Sequence, residues 1–175
     1  MDKYLLSQIS VIIATVFIAF TYFSKNRKKF LILFILYSIF YGIHYLLLNA
    51  ITGFLMNLVS IIRNIVFFRY EIQKKENSKL FLIFLFTIII IFGMCSYKDL
   101  FSIISIFASL LSTYSVWQKN PKVYRILAIL VSICFIIYAI HIKSIFAIVT
   151  EIALLVAEFI GLILLKFQNL TKTNY

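Results

Sequence analysis

The sequence predicts an all-α membrane protein: seven transmembrane helices forming two parallel three-helix units joined by a linker helix. Three observations predict it. Of the 175 residues, 63% are hydrophobic and only 13% charged, with a mean hydropathy of +1.05, whereas a soluble domain is about half apolar and a quarter charged. The basic residues gather in short clusters between apolar runs. The chain also matches itself when slid by 94 residues.

Crossing a bilayer takes an apolar run of about 17–25 residues. Seven qualify, at 4–23, 30–48, 51–69, 79–97, 100–117, 124–142 and 144–166. Their many β-branched residues do not argue against helix, because lipid forces every backbone group to bond internally. Barrel strands alternate polar and apolar residues, and these runs do not. The first run is a span rather than a signal peptide: Asp2 and Lys3 leave its leading segment nearly neutral, and no small-x-small cleavage site follows. Cys95 and Cys134 belong to no metal-ligand or CxxC spacing and read as packing residues.

Charge orients the spans. Lys25, Arg27, Lys28 and Lys29 follow span one; Arg69, Lys74, Lys75 and Lys79 follow span three; Lys119, Lys122 and Arg125 follow span five; Lys166 and Lys172 lie at the end. The other face has Lys3, Lys98 and Lys143. With seven spans every basic stretch falls on one face, which the positive-inside rule makes cytoplasmic. The N-terminus is then outside and the C-terminus inside, with Trp117 and Tyr124 as interfacial aromatics beside an inside loop. The net charge of +11 therefore reports topology in a bacterial inner membrane, with the lipid bilayer as partner. No basic helix carries the interleaved aromatics of a nucleic-acid site.

The self-match pairs spans one to three with spans five to seven. Lys25-Asn26 meets Lys119-Asn120, Lys28 meets Lys122, and Ser38-Ile39 meets Ser132-Ile133. Matched Ile and Leu are cheap in membrane helices; the Lys-Asn-x-Lys match at equivalent loops says more. The expected organisation is a first unit over 1–70, a cytoplasmic loop and linker helix over 71–98, and a second unit over 99–175. An odd linker helix gives both units the same orientation, as in parallel-repeat transporters.

The stretch from Tyr37 to Arg69, with Tyr37-Ser38, Gly42-x-His44 and Arg63, resembles the YgjV family of bacterial inner-membrane proteins, as does a second stretch, from Phe101 to Leu164, with Ser112-Thr113 and Glu151. The three-plus-one-plus-three plan resembles the SWEET and PQ-loop superfamily. That likeness implies a substrate pocket using a polar residue of span three, here Asn57 or Asn64, and one of span seven, where Glu151 or Glu158 stands. SWEETs carry prolines in spans one, two, five and six, whereas the single proline here, Pro121, is in a loop.

Ionisable residues at bilayer depth face a bundle interior or a wet cavity and need partners. The offset aligns Asn57 with Glu151 and Asn64 with Glu158, each set spaced by two helical turns on one face. Arg63 is expected to pair with Glu158 or Glu151. The remaining carboxylate would bind a cationic or zwitterionic group, or be protonated on desolvation and permit proton coupling. The bland alternative is a snorkelling Arg63 and glutamates that only glue helices. Tyr37, Tyr41 and His44 form a helical stripe, and Tyr138 aligns with His44; they line the outer lip of a pathway or anchor helix ends, the latter favoured for Tyr45 and His141. No metal or cofactor motif, nucleophile elbow or phosphate loop occurs, so no enzyme is expected. The leading reading is a transporter of a small polar or zwitterionic solute. The alternative is a non-transporting receptor or assembly factor on the same scaffold.

Overall fold

The structure is a computed structural model describing residues 2–22, 24 and 26–172, with side chains to Lys166 except that of Tyr22. Lys25 and the Lys172 side chain, both counted in the basic clusters, lie outside the described residues, as does Phe23 at the end of the first predicted span.

Seven helices follow one another: α1 (Lys3–Tyr22), α2 (Arg27–Leu47), α3 (Ile51–Ile72), α4 (Lys79–Cys95), α5 (Leu100–Trp117), α6 (Pro121–His141) and α7 (Ile145–Lys172). Six are long and apolar enough to cross a membrane; α4, with 17 residues, is shorter. Two helices begin three residues earlier than their apolar runs, α2 at Arg27 and α6 at Pro121. Asn26 caps α2 by accepting the Lys28 N–H at 2.8 Å, and Asn120 caps α6 by accepting the Lys122 N–H at 3.0 Å. Pro121 follows at the first helical position, where its missing N–H costs nothing. The basic residues after these caps, Arg125 included, are therefore helical rather than in loops. At the other ends α3 and α7 outrun their apolar stretches, because hydropathy marks the hydrocarbon boundary and not the end of hydrogen bonding. The turns after α2 and α6 each place a residue in the left-handed region, Asn49 and Lys143, both at φ 55°.

The helices close a ring. α2 packs between α1 and α3, and α6 between α5 and α7; α3 then meets α5, and α7 meets α1. α4 stands outside, against α3 and α5. One end of the ring is basic: Arg27 and Lys119 both reach Glu71, at 3.5 and 3.6 Å. There the Trp117 indole N–H donates to the Ser78 carbonyl. The far end is joined mainly by neutral bonds: the Thr52 hydroxyl to the Ser96 carbonyl, the Phe146 N–H to the Gln8 amide oxygen, and the Gly53 N–H to the Tyr138 hydroxyl.

Candidate functional site: a polar cavity inside the ring

Every ring helix sends a side chain into a central cavity of about 80 Å³: Ile18 from α1, Tyr41 from α2, Arg63 from α3, Ser112 from α5, Tyr124 from α6 and Glu151 from α7. Water needs roughly 10–15 Å³ per molecule on this measure, so the space suits a handful of non-hydrogen atoms. Six serines, Ser38, Ser60, Ser109, Ser112, Ser115 and Ser132, bring hydroxyls to a wall that is otherwise largely aliphatic and aromatic. Asn57 lies in the wall too, its amide donating to the Gly53 carbonyl of its own helix at 3.0 Å.

Arg63 is fully buried, yet it makes no ion pair with Glu158 or Glu151. Its Nε donates to Asn64 Oδ1 at 3.1 Å, and Nη1 donates to the Ser112 and Thr113 hydroxyls at 3.2 and 3.1 Å. The guanidinium also lies over the Phe34 ring, 5.5 Å from its centre. The expected pairing fails for a reason of packing. α3 faces α5, whose Ser112-Thr113 step meets the arginine, while α7 packs on α6 and α1; Glu158 meets Arg125 of α6, and Glu151 meets Tyr41 of α2. Three neutral acceptors and a ring hold the cation, and the Nη2 edge has no hydrogen-bond partner. The neighbouring Asn64 Nδ2 is also unpartnered. Both orphans are donors, and buried donors call for acceptors.

Glu158 is instead paired with Arg125 of α6, Oε2 to Nη1 at 2.8 Å. The arginine reaches it by lying against Gly161, one turn further along α7. A Cβ at that position would fall 2.0 Å from Nη1 and 2.3 Å from the guanidinium carbon. Sequence reasoning missed Arg125 because it was counted with the loop charges. The signals that would have found it are Pro121, which starts the helix one turn earlier, and a glycine at i+3 from a membrane carboxylate. Glu151 lies deeper and accepts the Tyr41 hydroxyl at 3.1 Å; no cation lies within ion-pair distance of it among the described residues.

The cavity has different surroundings at its two ends. Toward the basic end it shares Ser115, Tyr124 and Glu158 with a wider vestibule of about 270 Å³ whose wall also carries Arg27, Lys119 and Arg125. Tyr124, expected as an interfacial anchor, thus stands between two compartments. Toward the far end the way is blocked by packed rings: Tyr41 on Tyr45 at 5.2 Å and Tyr45 on Tyr138 at 5.6 Å between centres. Tyr45, expected as an interfacial anchor, is 1% exposed. Gly53 fits beneath both rings, where a Cβ would fall 2.9 Å from Tyr45 and 3.1 Å from Tyr138. Beyond lies a recess of about 240 Å³ lined by Asn49, Asp99, Tyr138 and His141.

Of the residues singled out from sequence, Asn57, Arg63, Glu151, Glu158 and Tyr41 share the cavity wall. Asn64, His44 and Tyr138 are not part of it. Asn64 props Arg63 from behind. His44 is fully buried, its Nδ1 3.0 Å from the Ser7 carbonyl, a contact that makes the ring a helix-to-helix tie between α2 and α1. Tyr138 belongs to the aromatic barrier and the recess beyond it.

A family model described as Imp-YgjV, bacterial inner membrane protein, matches residues 5–169. No curated protein and no solved structure matches the chain.

Proposed function

The chain belongs to the Imp-YgjV family of bacterial inner-membrane proteins, and from that premise we propose that it carries a small polar or zwitterionic solute across the membrane by alternating access. The observation that carries this reading is the cavity itself: a charge-bearing space enclosed by six membrane-length helices, sharing a wall with a vestibule at one end and shut by aromatic packing at the other. A purely structural bundle has no use for an uncompensated arginine at its centre, which is costly to desolvate.

The mechanism rests on two three-helix units, 1–70 and 99–175, with 71–98 as linker. Several facts support them. Exchanging α1, α2 and α3 for α5, α6 and α7 maps the ring's contacts onto themselves, α3 on α5 becoming α7 on α1. The offset of 94 residues pairs the capping asparagines Asn26 and Asn120 and the left-handed residues Asn49 and Lys143. Rocking of one unit against the other then exposes the cavity to either side in turn. The basic end is cytoplasmic by the positive-inside rule, so the N-terminus is outside, the C-terminus inside, and this conformer faces inward. The Arg125–Glu158 pair and Tyr124 form the inner gate; Tyr45 and Tyr138 form the outer one. Glu151, a carboxylate without a cation, is the candidate site of proton coupling.

Uptake of a broad panel of small polar solutes into proteoliposomes tests the proposal. The expected result is saturable uptake of one class by the wild type, abolished in the Arg63→Ala, Glu158→Gln double variant. Equal behaviour of the two across the panel removes the site assignment. Solute binding without flux would favour a receptor.

A further inference from the structure

Resting on the reading of the cavity as a solute site, we infer that its ligand is a small amino-acid-like zwitterion, with the carboxylate on Arg63 and the ammonium group toward Glu151. The guanidinium is fixed before any ligand arrives: Asn64 holds Nε, Ser112 and Thr113 hold Nη1, and Phe34 covers a face. What remains is one nitrogen, Nη2, buried and without a hydrogen-bond partner. A buried cationic N–H donor is best met by a charged acceptor, here an oxygen of a carboxylate.

Charge balance then narrows the class. Arg125 is committed to Glu158, so among the described residues the cavity wall holds one cation and one carboxylate, Arg63 and Glu151, that lack a charged partner. They sit on α3 and α7, helices that do not pack side by side in the ring. A neutral solute leaves both charges uncompensated on entering and expelling water. A simple anion leaves Glu151, and a simple amine leaves Arg63. Only a molecule carrying both charges satisfies both walls, which is discrimination by the penalty on the wrong ligand. A volume near 80 Å³ holds roughly half a dozen non-hydrogen atoms, the size of glycine, alanine or serine.

The experiment measures binding rather than flux, by thermal shift and calorimetry on the full chain in detergent. Probes are glycine, alanine and serine, with alaninamide, which lacks the carboxylate, and lactate, which lacks the amine. At least one amino acid is expected to raise the melting temperature and to bind about tenfold or more tightly than its amide or hydroxy-acid analogue, the loss expected for one charge-assisted hydrogen bond. In Glu151→Gln the preference for alanine over lactate should disappear while that over alaninamide persists. In Arg63→Gln the reverse should hold, and ratios taken on folded protein separate recognition from folding. Equal binding of alanine and alaninamide, or no binding of any amino acid, overturns the inference. Flux of a neutral solute without amino-acid binding overturns it while leaving transport intact; amino-acid binding without flux sustains it and removes transport.

Discussion

The two ends of the ring solve the same closing problem with different chemistry. At the far end, rings and neutral hydrogen bonds do the work: Tyr45 against Tyr138, Gly53 N–H to the Tyr138 hydroxyl, the Thr52 hydroxyl to the Ser96 carbonyl at 2.7 Å, and the Phe146 N–H at the start of α7 to the Gln8 amide oxygen. At the basic end, charges face each other around a vestibule: Glu158 with Arg125, and Glu71 with Arg27 and Lys119. Hydrogen bonds between membrane helices contribute on average about 0.6 kcal/mol each. The three hydrogen bonds named at the far end therefore amount to about 2 kcal/mol, a difference that solute binding can offset. A closed end made of many weak neutral contacts can be undone piecemeal. A charged end cannot, since separating a half-buried pair strands its ions in a poor solvent. The far end, where Tyr45 and Tyr138 of different units meet, is built to part, whereas the Arg125–Glu158 pair lies within one unit and steadies the inner gate.

Removing the Arg125 side chain should break that comparison most severely. Loss of one partner from a buried pair costs about 3–5 kcal/mol, and Arg125 is 24% exposed, so about 2 kcal/mol is expected for Arg125→Ala. The measurement is thermal unfolding in detergent, paired with thiol labelling of a cysteine placed at Ser115, in the wall common to cavity and vestibule. Labelling from the basic side should accelerate. Arg125→Ala with Glu158→Gln should recover more than half of the lost stability, because no carboxylate charge is then left behind. A double variant as unstable as the single one would mean that the pair does not hold this gate.

This gate is also where sequence reasoning stopped short. The membrane class, the seven helices and the basic end were all legible, since they depend on run lengths and charge positions that one sequence displays in full. Helix α5 starts and ends as its apolar run predicts, because Asp99 caps one end and Trp117 marks the other. The pairing of charges was not legible. Arg63 and Arg125 look alike in sequence; which one meets Glu158 depends on which helices touch. The ring order puts α7 beside α6 and away from α3, a fact carried by many small interhelical contacts and by no motif. Tyr45 was misread for a related reason: a tyrosine near a helix end suits an interface, and only the neighbouring Gly53 shows that space was kept for its ring.

A gentler perturbation is Gly161→Ala. The added methyl would first meet the tip of a flexible side chain, Arg125, so the helix itself has little reason to move. Arg125 must shift instead, lengthening its 2.8 Å contact with Glu158. The expected loss is about 1 kcal/mol, at the low end for overpacking, with labelling at Ser115→Cys raised less than in Arg125→Ala. If Arg125 and the gate were unrelated, stability would fall without any change in labelling.

The smallest expected effect belongs to the far end, whose one ion pair among the described residues joins Asp99 to His141 at 2.9 Å. Slight burial alone would raise the Asp99 carboxyl. The Ser102 N–H and hydroxyl and the His141 ring outweigh it and hold the carboxyl below its usual value. A carboxyl depressed in the folded state adds stability that is present above its unfolded value, near 4, and fades as pH falls through the folded value. Asp99 is well exposed, so the contribution should be slight and screened by salt. Asp99→Asn is the informative change, because asparagine caps a helix about as well as aspartate and α5 keeps its start. Melting temperatures followed from pH 7 to pH 3 should then converge: wild type above Asp99→Asn at neutral pH, with the gap closing below about pH 4 and shrinking in added salt. A gap that persisted in acid would have to come from the cap rather than the charge. The far end would then owe nothing to electrostatics, and the contrast with the basic end would be sharper still.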